Sequence, residues 1–334
     1  MSGQRIRVNI PVTVTDLGTQ TVASWLAVPD QPHDNSLQLL VHGNSYSHLY
    51  WGFPYKPEIY SYVEFALAAG GATLAIDQLG VGESSRPPGD RVTCHALAEA
   101  VHGVVQAAKG DGLAGHRFER VALVGHSGGS LTSGLEAATY QDVDAVVLTG
   151  MLGPNVSGIT DNDPRIAGAF VPAASDPVLA GKPGLEDPSY LTLLPEVRVP
   201  LFYRQPPAEP ELIALDESLK EIMTTGQSAT LGTAAETCGQ IRCPTLVVNG
   251  RYDRFFYEPA TEDDISANIA LAQAAAADNY TFVPLFDDMG HNLNQHPGAP
   301  EVYWAIQQWL HAQDPQSSDS TPHEDAEVEP LAGP

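Results

Sequence analysis

Short, continuously apolar runs alternate with stretches of helical period along most of this chain, and no other feature constrains its fold as tightly. "LQLLVHG" (37–43), "GATLAIDQLG" (71–80), "RVALVGHSGG" (120–129), "VDAVVLTG" (143–150), "PTLVVNG" (244–250) and "YTFVPLF" (280–286) read as strands. Between them, "PEIYSYVEFALAAG" (57–70), "TCHALAEAVHGVVQAAKG" (93–110), "SLTSGLEAATY" (130–140) and "EDDISANIALAQAAAADN" (262–279) read as helices, and "PEVYWAIQQWLHAQ" (300–313) closes the series. A strand that is apolar on both sides must be covered on both faces. Strand–helix alternation supplies that cover, so the pattern predicts an α/β fold with a mostly parallel central sheet and helices on both faces. Ahead of it, residues 4–15 and 20–30 alternate apolar and polar side chains around "DLGTQ", which predicts a hairpin of half-exposed strands.

From residue 151 to about 236 the rhythm stops. This block is rich in Pro and Gly, yet Phe170, Tyr190, Leu191, Leu193, Leu194, Phe202 and Tyr203 are too many large apolar groups for a solvated linker. The expected organisation is a core made of 1–150 and 237–313, a packed cap or lid at 151–236, and a polar, acidic, disordered tail at 314–334.

Charge and cysteine usage narrow the partners. The 334 residues carry 41 acidic and 16 basic side chains, a formal net of −25. Such a surface repels phosphate backbones, so nucleic acid is not an expected partner. No run of about 18 apolar residues occurs, so no membrane span is expected. The N-terminal stretch lacks the apolar segment of a secretion signal, and the expected address is the cytoplasm. Cys94, Cys238 and Cys243 are an odd count at irregular spacing and read as free thiols, a pairing of the near neighbours Cys238 and Cys243 being the alternative. His95 and His102 sit a heptad apart and His42 and His48 flank a turn, which is no metal-ligand pattern; no cofactor is implied.

The chemistry concentrates at Gly125-His126-Ser127-Gly128-Gly129, a G-x-S-x-G turn between an apolar strand and a helix. Such a turn presents its serine hydroxyl above the sheet with a helix N-terminus beneath it. A serine hydroxyl needs a base to become a nucleophile. His291, just beyond the last strand, is the expected base, with His296 as its rival. Asp253, just beyond the preceding strand, is the expected acid, ahead of Asp77, Asp287 and Asp288. Ligand sites in such sheets collect at the ends of several strands. An oxyanion formed at the serine needs two donors: the N–H of Gly128 and, after the "LLVHG" strand, the N–H of Asn44.

Asn44 opens an unusual loop, "NSYSHLYWGFPYKP" (44–57), holding Tyr46, Tyr50, Trp51, Phe53 and Tyr55 in a chain that is only 7% aromatic. Two readings stay open for these rings: anchors on the next helix, or a wall of the site. Tyr46, His48 and His126, with Phe255 and Phe256 beside the acid, are the candidate substrate-facing residues.

Together "HGN" (42–44), "DQLGVGESS" (77–85), "GHSGG" (125–129), "GRYDRFF" (250–256) and "MGH" (289–291) resemble the α/β-hydrolase superfamily over residues 36–312. The resemblance implies the α/β-hydrolase fold, a Ser-His-Asp triad and a structural turn at Asp77, Gly80 and Gly82. Serine at 127 disfavours the branches that attack with aspartate. The lack of an H-G-G-G motif disfavours the esterase branch that carries one. The implied activity is hydrolysis of a carboxylic ester, lactone or thioester of a hydrophobic small molecule. The same triad used for acyl transfer, cyclisation or a lyase reaction is the alternative, and a non-catalytic ligand receptor the third reading.

Overall fold

The computed structural model describes residues 3–153, 168–204, 209–256 and 262–314. Two long strands, β1 (Gly3–Val14) and β2 (Gly18–Pro29), form the expected antiparallel hairpin. Then come β3 (Ser36–Val41), β4 (Ala72–Ile76), β5 (Arg120–His126) and β6 (Ala145–Thr149). The insertion contributes β7 (Phe170–Pro172), β8 (Tyr190–Leu193) and β9 (Met223–Thr224), and the chain returns through β10 (Thr245–Val248) and β11 (Tyr280–Phe282). Eight strands make the central sheet in the order β1-β2-β4-β3-β5-β6-β10-β11, parallel from β4 to β11.

Alternation along each inner strand divides the core in two. Leu37, Leu39, Val41, Leu74, Ile76, Val146 and Leu148 pack on one face. Their neighbours Leu40, Ala75 and Val147 pack on the other. A period of two on strands buried on both sides gives this result. The first face is covered by α3 (Cys94–Lys109) and α4 (Gly128–Tyr140); Thr93 caps α3 by accepting the Ala96 N–H at 3.1 Å. The second face carries α1 (Pro57–Tyr60), α2 (Tyr62–Ala68) and the aromatic loop, where Tyr50, Trp51, Phe53, Tyr60 and Tyr62 are all buried.

The single helix expected over 57–70 is two. Ser61 leaves helical geometry (φ −105°, ψ 108°) and its hydroxyl accepts the Glu64 N–H. It also bridges to Gly52, while the Val63 N–H donates to the Trp51 carbonyl. The aromatic loop thus takes the backbone partner that a continuous helix would use.

Within the insertion, β7, β8 and β9 form a small antiparallel sheet flanked by α5 (Pro195–Phe202) and α6 (Pro210–Ser218). The next helix, α7 (Thr225–Cys238), packs against α3 and α4: Cys238 lies against Gly134, and Thr230 Oγ1 accepts the Cys94 N–H at 3.0 Å. Residues 225–236, assigned to the cap on sequence, therefore sit in the helical layer of the core. Two further helices, α8 (Glu262–Ala275) and α9 (Ala299–Ala312), complete the fold. The three cysteines are free. Beyond Asp314 the expected tail lies outside the described residues, as do 154–167 and 205–208 of the expected cap. Among the described residues no helix is long and apolar enough to cross a membrane.

Candidate active site

The turn after β5 is held open by contacts that leave no room for side chains. A Cβ on Gly125 would lie 2.5 Å from the Ser130 Cα, and one on Gly129 would collide with the carbonyls of Val41 and His42. Ser127 sits at φ 52°, ψ −119°, a conformation that costs on the order of 1–3 kcal/mol in a residue with a Cβ. Neighbouring strands hold it there. The Ser127 N–H and the Ser130 hydroxyl both donate to the Thr149 carbonyl at 2.8 Å, and Thr149 Oγ1 donates to the Gly125 carbonyl at 2.9 Å.

His291 and Asp253 arrive from loops after β11 and β10. His291 Nε2 is 2.8 Å from Ser127 Oγ, and His291 Nδ1 is 2.8 Å from Asp253 Oδ2. Asp253 is fully buried, and its other oxygen accepts the Phe255 N–H at 3.0 Å. A carboxylate only accepts, so the proton of a neutral His291 sits on Nδ1 and the Nε2 lone pair faces the serine hydroxyl. The structure therefore brings Ser127, His291 and Asp253 into one line.

The rivals are engaged elsewhere. His296 Nδ1 donates to the Asn292 carbonyl at 3.0 Å, and its Nε2 accepts the N–H groups of Gly290 (3.0 Å) and Arg204 (3.1 Å). Burial, partly offset by the Asn292 carbonyl, brings His296 down to about 4, so it stays neutral and pins the two loops together. Asp287 pairs with Arg251 at 2.6 Å and Asp288 with Arg204 at 2.8 Å. Asp77 accepts from His48 and from the Glu83 N–H. Burial alone would raise Asp77; the hydrogen bond and charge of His48 outweigh it and keep the carboxyl below its usual range.

Asn44 lies against the start of α4, and a Cβ on Gly128 would be 2.5 Å from Asn44 Oδ1. As the first helical residue, Gly128 has an N–H without an intrahelical acceptor, and among the described residues the Asn44 N–H meets no carbonyl. Asn44 is held by groups the sequence reading did not single out. Gln227 Nε2, from α7, donates to Asn44 Oδ1 at 2.8 Å. The adjacent Ser45 donates its N–H to the Ile222 carbonyl and accepts the Glu221 N–H on its own carbonyl.

The substrate-facing assignments fare unevenly. Phe255 does stand over His291, with ring centroids 4.3 Å apart. Phe202, read from sequence only as a packing residue, lies 5.5 Å from the same imidazole. Tyr46 is not a free wall: it is 4% exposed, stacked on Phe202, and its hydroxyl accepts from Asn292 Nδ2 at 3.3 Å. His48 stacks on Trp25 and binds Asp77 at 2.8 Å. His126 is fully buried beneath Tyr50, and Phe256 packs with Leu152, Ile265 and Ala272. Burial first, then the nearby His291 and His42, push His126 well below the ordinary histidine range. Tyr46, His48, His126 and Phe256 thus pack into the scaffold around the site, His126 with its ring 5.0 Å from that of His291.

Residues 38–300 match the Alpha/beta hydrolase family. The chain belongs to that family. Its fold is similar to a thermophilic esterase from Thermogutta terrifontis (TM-score 0.58, 20% identity, 92% of this chain and 99% of the other). It is likewise similar to a monoacylglycerol lipase from Paleococcus ferrophilus (TM-score 0.57, 16% identity, 94% and 100%). A meta-cleavage product hydrolase from Pseudomonas fluorescens IP01 shares the fold as well (TM-score 0.54, 14% identity, 91% and 98%). No curated protein sequence matches the chain.

Proposed function

We propose that this α/β hydrolase cleaves a carboxylic ester, lactone or thioester of a hydrophobic small molecule through an acyl-enzyme on Ser127. The observation that carries the reading is the pair of 2.8 Å contacts linking Asp253, His291 and Ser127. Ser127 Oγ attacks the acyl carbon while His291 Nε2 takes its proton; Asp253 holds the tautomer and stabilises the imidazolium. The Gly128 and Asn44 N–H groups stabilise the oxyanion. The imidazolium then protonates the leaving alcohol or thiol. In the second half His291 deprotonates a water, which attacks the acyl group, and the acid leaves as Ser127 regains its proton.

The ring of Phe255, part-exposed and 4.3 Å from His291, favours an apolar acyl or leaving group, and Phe202, itself buried, backs it at 5.8 Å. The small sheet with α5 and α6 serves as the cap that carries Phe202 to the site. Esterase and lipase relatives of the same fold are consistent with this chemistry. Labelling with a fluorophosphonate probe, followed by peptide mass spectrometry, should place one adduct on Ser127. Short p-nitrophenyl esters should be turned over, and Ser127→Ala should remove at least about 10³-fold of the rate. Undiminished turnover in that variant, or labelling elsewhere, rejects the assignment.

A further inference from the structure

The side chains of His102, Glu136 and Asp142 meet at the opposite end of α4 from Ser127. One ligand atom from each can be chosen so that all lie within 4.8 Å of one another. His102 Nδ1 is 3.0 Å from Asp142 Oδ2 and 3.6 Å from Glu136 Oε1. The feature that demands an explanation is Glu136. It is 0% exposed, and neither carboxylate oxygen has a hydrogen-bond partner. Asp142 Oδ1 and His102 Nδ1 also lack one; the 3.0 Å approach of the imidazole to Asp142 is out of line for a hydrogen bond. Among the described residues, the one opposite-charge neighbour of the Glu136 carboxylate is the His102 imidazole at 3.6 Å, beyond hydrogen-bond range; such burial is unfavourable, and a second carboxylate stands beside it.

We propose that His102, Glu136 and Asp142 form a structural site for one divalent transition-metal ion of the zinc type, tying α3 to the C-terminal end of α4. An ion with bonds of about 2.0–2.1 Å in tetrahedral geometry separates its ligands by about 3.3 Å. The 3.0 and 3.6 Å separations at His102 Nδ1 bracket that value. The imidazole nitrogen selects against calcium and magnesium, which take oxygen ligands, and towards zinc, cobalt or nickel. His102 and Asp142 are part-exposed, which leaves an approach for the ion and room for a water as fourth ligand.

The surroundings are arranged to hold the ligands. The Tyr140 ring stacks on His102 with centroids 3.8 Å apart and planes 9° from parallel. Gln106 Nε2 donates to Asp142 Oδ2 at 2.6 Å, and Lys109 Nζ donates to the Asp142 carbonyl at 2.7 Å. Groups of this kind fix ligand orientation around a metal. Sequence spacing gives no hint of the site, because its ligands come from α3, α4 and the loop after α4. The same three residues are outside the reacting centre, so the proposal stands independently of the hydrolase reading.

The test is zinc binding by the full chain after chelator treatment and buffer exchange, read by calorimetry and by metal analysis. One equivalent should bind, thermal unfolding should move up with added Zn²⁺, and Co²⁺ should give the visible absorption of a four-coordinate ion. Glu136→Gln and, as a second variant on the exposed side, His102→Gln should each weaken Zn²⁺ at least about tenfold, with circular dichroism unchanged. Zinc binding equal in wild type and both variants would place the ion on the acidic surface and overturn the site. Absence of any bound equivalent overturns it as well, and Glu136→Gln more stable than wild type would then leave a proton as the partner of Glu136.

Discussion

The central sheet and the insertion bury their interiors by opposite means. In the sheet, Leu37, Leu39, Leu74, Leu123 and Val146 lie at 0–1% exposure against one another and need no particular partner. In the insertion, two cations are buried completely. Arg198 pairs with Asp216 at 2.6 Å and Lys220 with Asp176 at 2.6 Å; Lys220 also binds Glu217. Apolar burial is non-directional and tolerates local slack. A buried ion pair contributes little net stability but is costly to break. The insertion thus gives up tolerance for fixed geometry. That geometry reaches the site: Arg198 Nε donates to Ser45 Oγ at 3.3 Å, beside Asn44, and its guanidinium lies 4.9–5.0 Å from the rings of Tyr46 and Phe202.

The largest effect should come from removing one charge of the network. Lys220→Met leaves Asp176 without its cation, while Glu217 keeps Arg198 at 3.4 Å, and should cost about 3–5 kcal/mol in urea unfolding. Replacing Asp176 as well, by Leu, should recover much of that loss, because the remaining interior is then closer to apolar. A single-site loss below about 1 kcal/mol would show the insertion to be as forgiving as the sheet, and the contrast would fail. Next comes the sheet itself. Leu123→Ala opens a cavity at a fully buried position and should cost about 2–4 kcal/mol. Here a neighbour such as Val146→Leu should recover part of the loss without any matched charge, which is the difference between the two interiors.

The same contrast explains what could be read from sequence. Strand–helix alternation, the glycines of the elbow and the order serine, acid, histidine are local or ordered features, and the two-faced sheet and the approach of Ser127, Asp253 and His291 follow from them. The insertion has no period, since its small sheet pairs Tyr190 with Thr224 across more than thirty residues. Arg198, Lys220, Asp176 and Asp216 look like ordinary surface charges until the chain is folded. Gln227 and Phe202 are missed for the same reason: each reaches the site from an element distant in sequence. The aromatic loop misleads differently. Its rings are near Ser127, yet they face the second core layer, where Tyr62 and Tyr303 meet edge to face at 5.3 Å.

A graded effect, spread over the pH scale, should appear on acidification, and it belongs to the core half. Burial, opposed mainly by the charge of Asp77, lowers His42 to about 4, and burial also lowers His296 to about 4. Each is about 6.5 when unfolded. Above pH 6.5 both states are neutral and nothing is lost. Between about 6.5 and about 4 the unfolded chain binds protons that the folded chain does not, so stability falls as pH falls. Each such histidine contributes a slope approaching about 1.4 kcal/mol per pH unit in that window. His296→Gln should flatten the stability–pH profile by about one proton. A profile of unchanged steepness would mean that His296 is protonated in the folded state.

The smallest expected effect separates the two roles available to Tyr46, at the junction of the regions. Its ring packs on Phe202 of the insertion and its hydroxyl accepts from Asn292, the neighbour of His291. Tyr46→Phe keeps the ring and loses one 3.3 Å hydrogen bond, so it should cost about 1 kcal/mol. KM for an apolar ester should stay within about twofold, since a 4% exposed side chain offers substrate little surface. If KM instead rises while the unfolding free energy holds, the hydroxyl meets substrate. In that case Tyr46 returns to the site wall, and the insertion opens further over Ser127 than the packed arrangement of Phe202 and Arg198 allows.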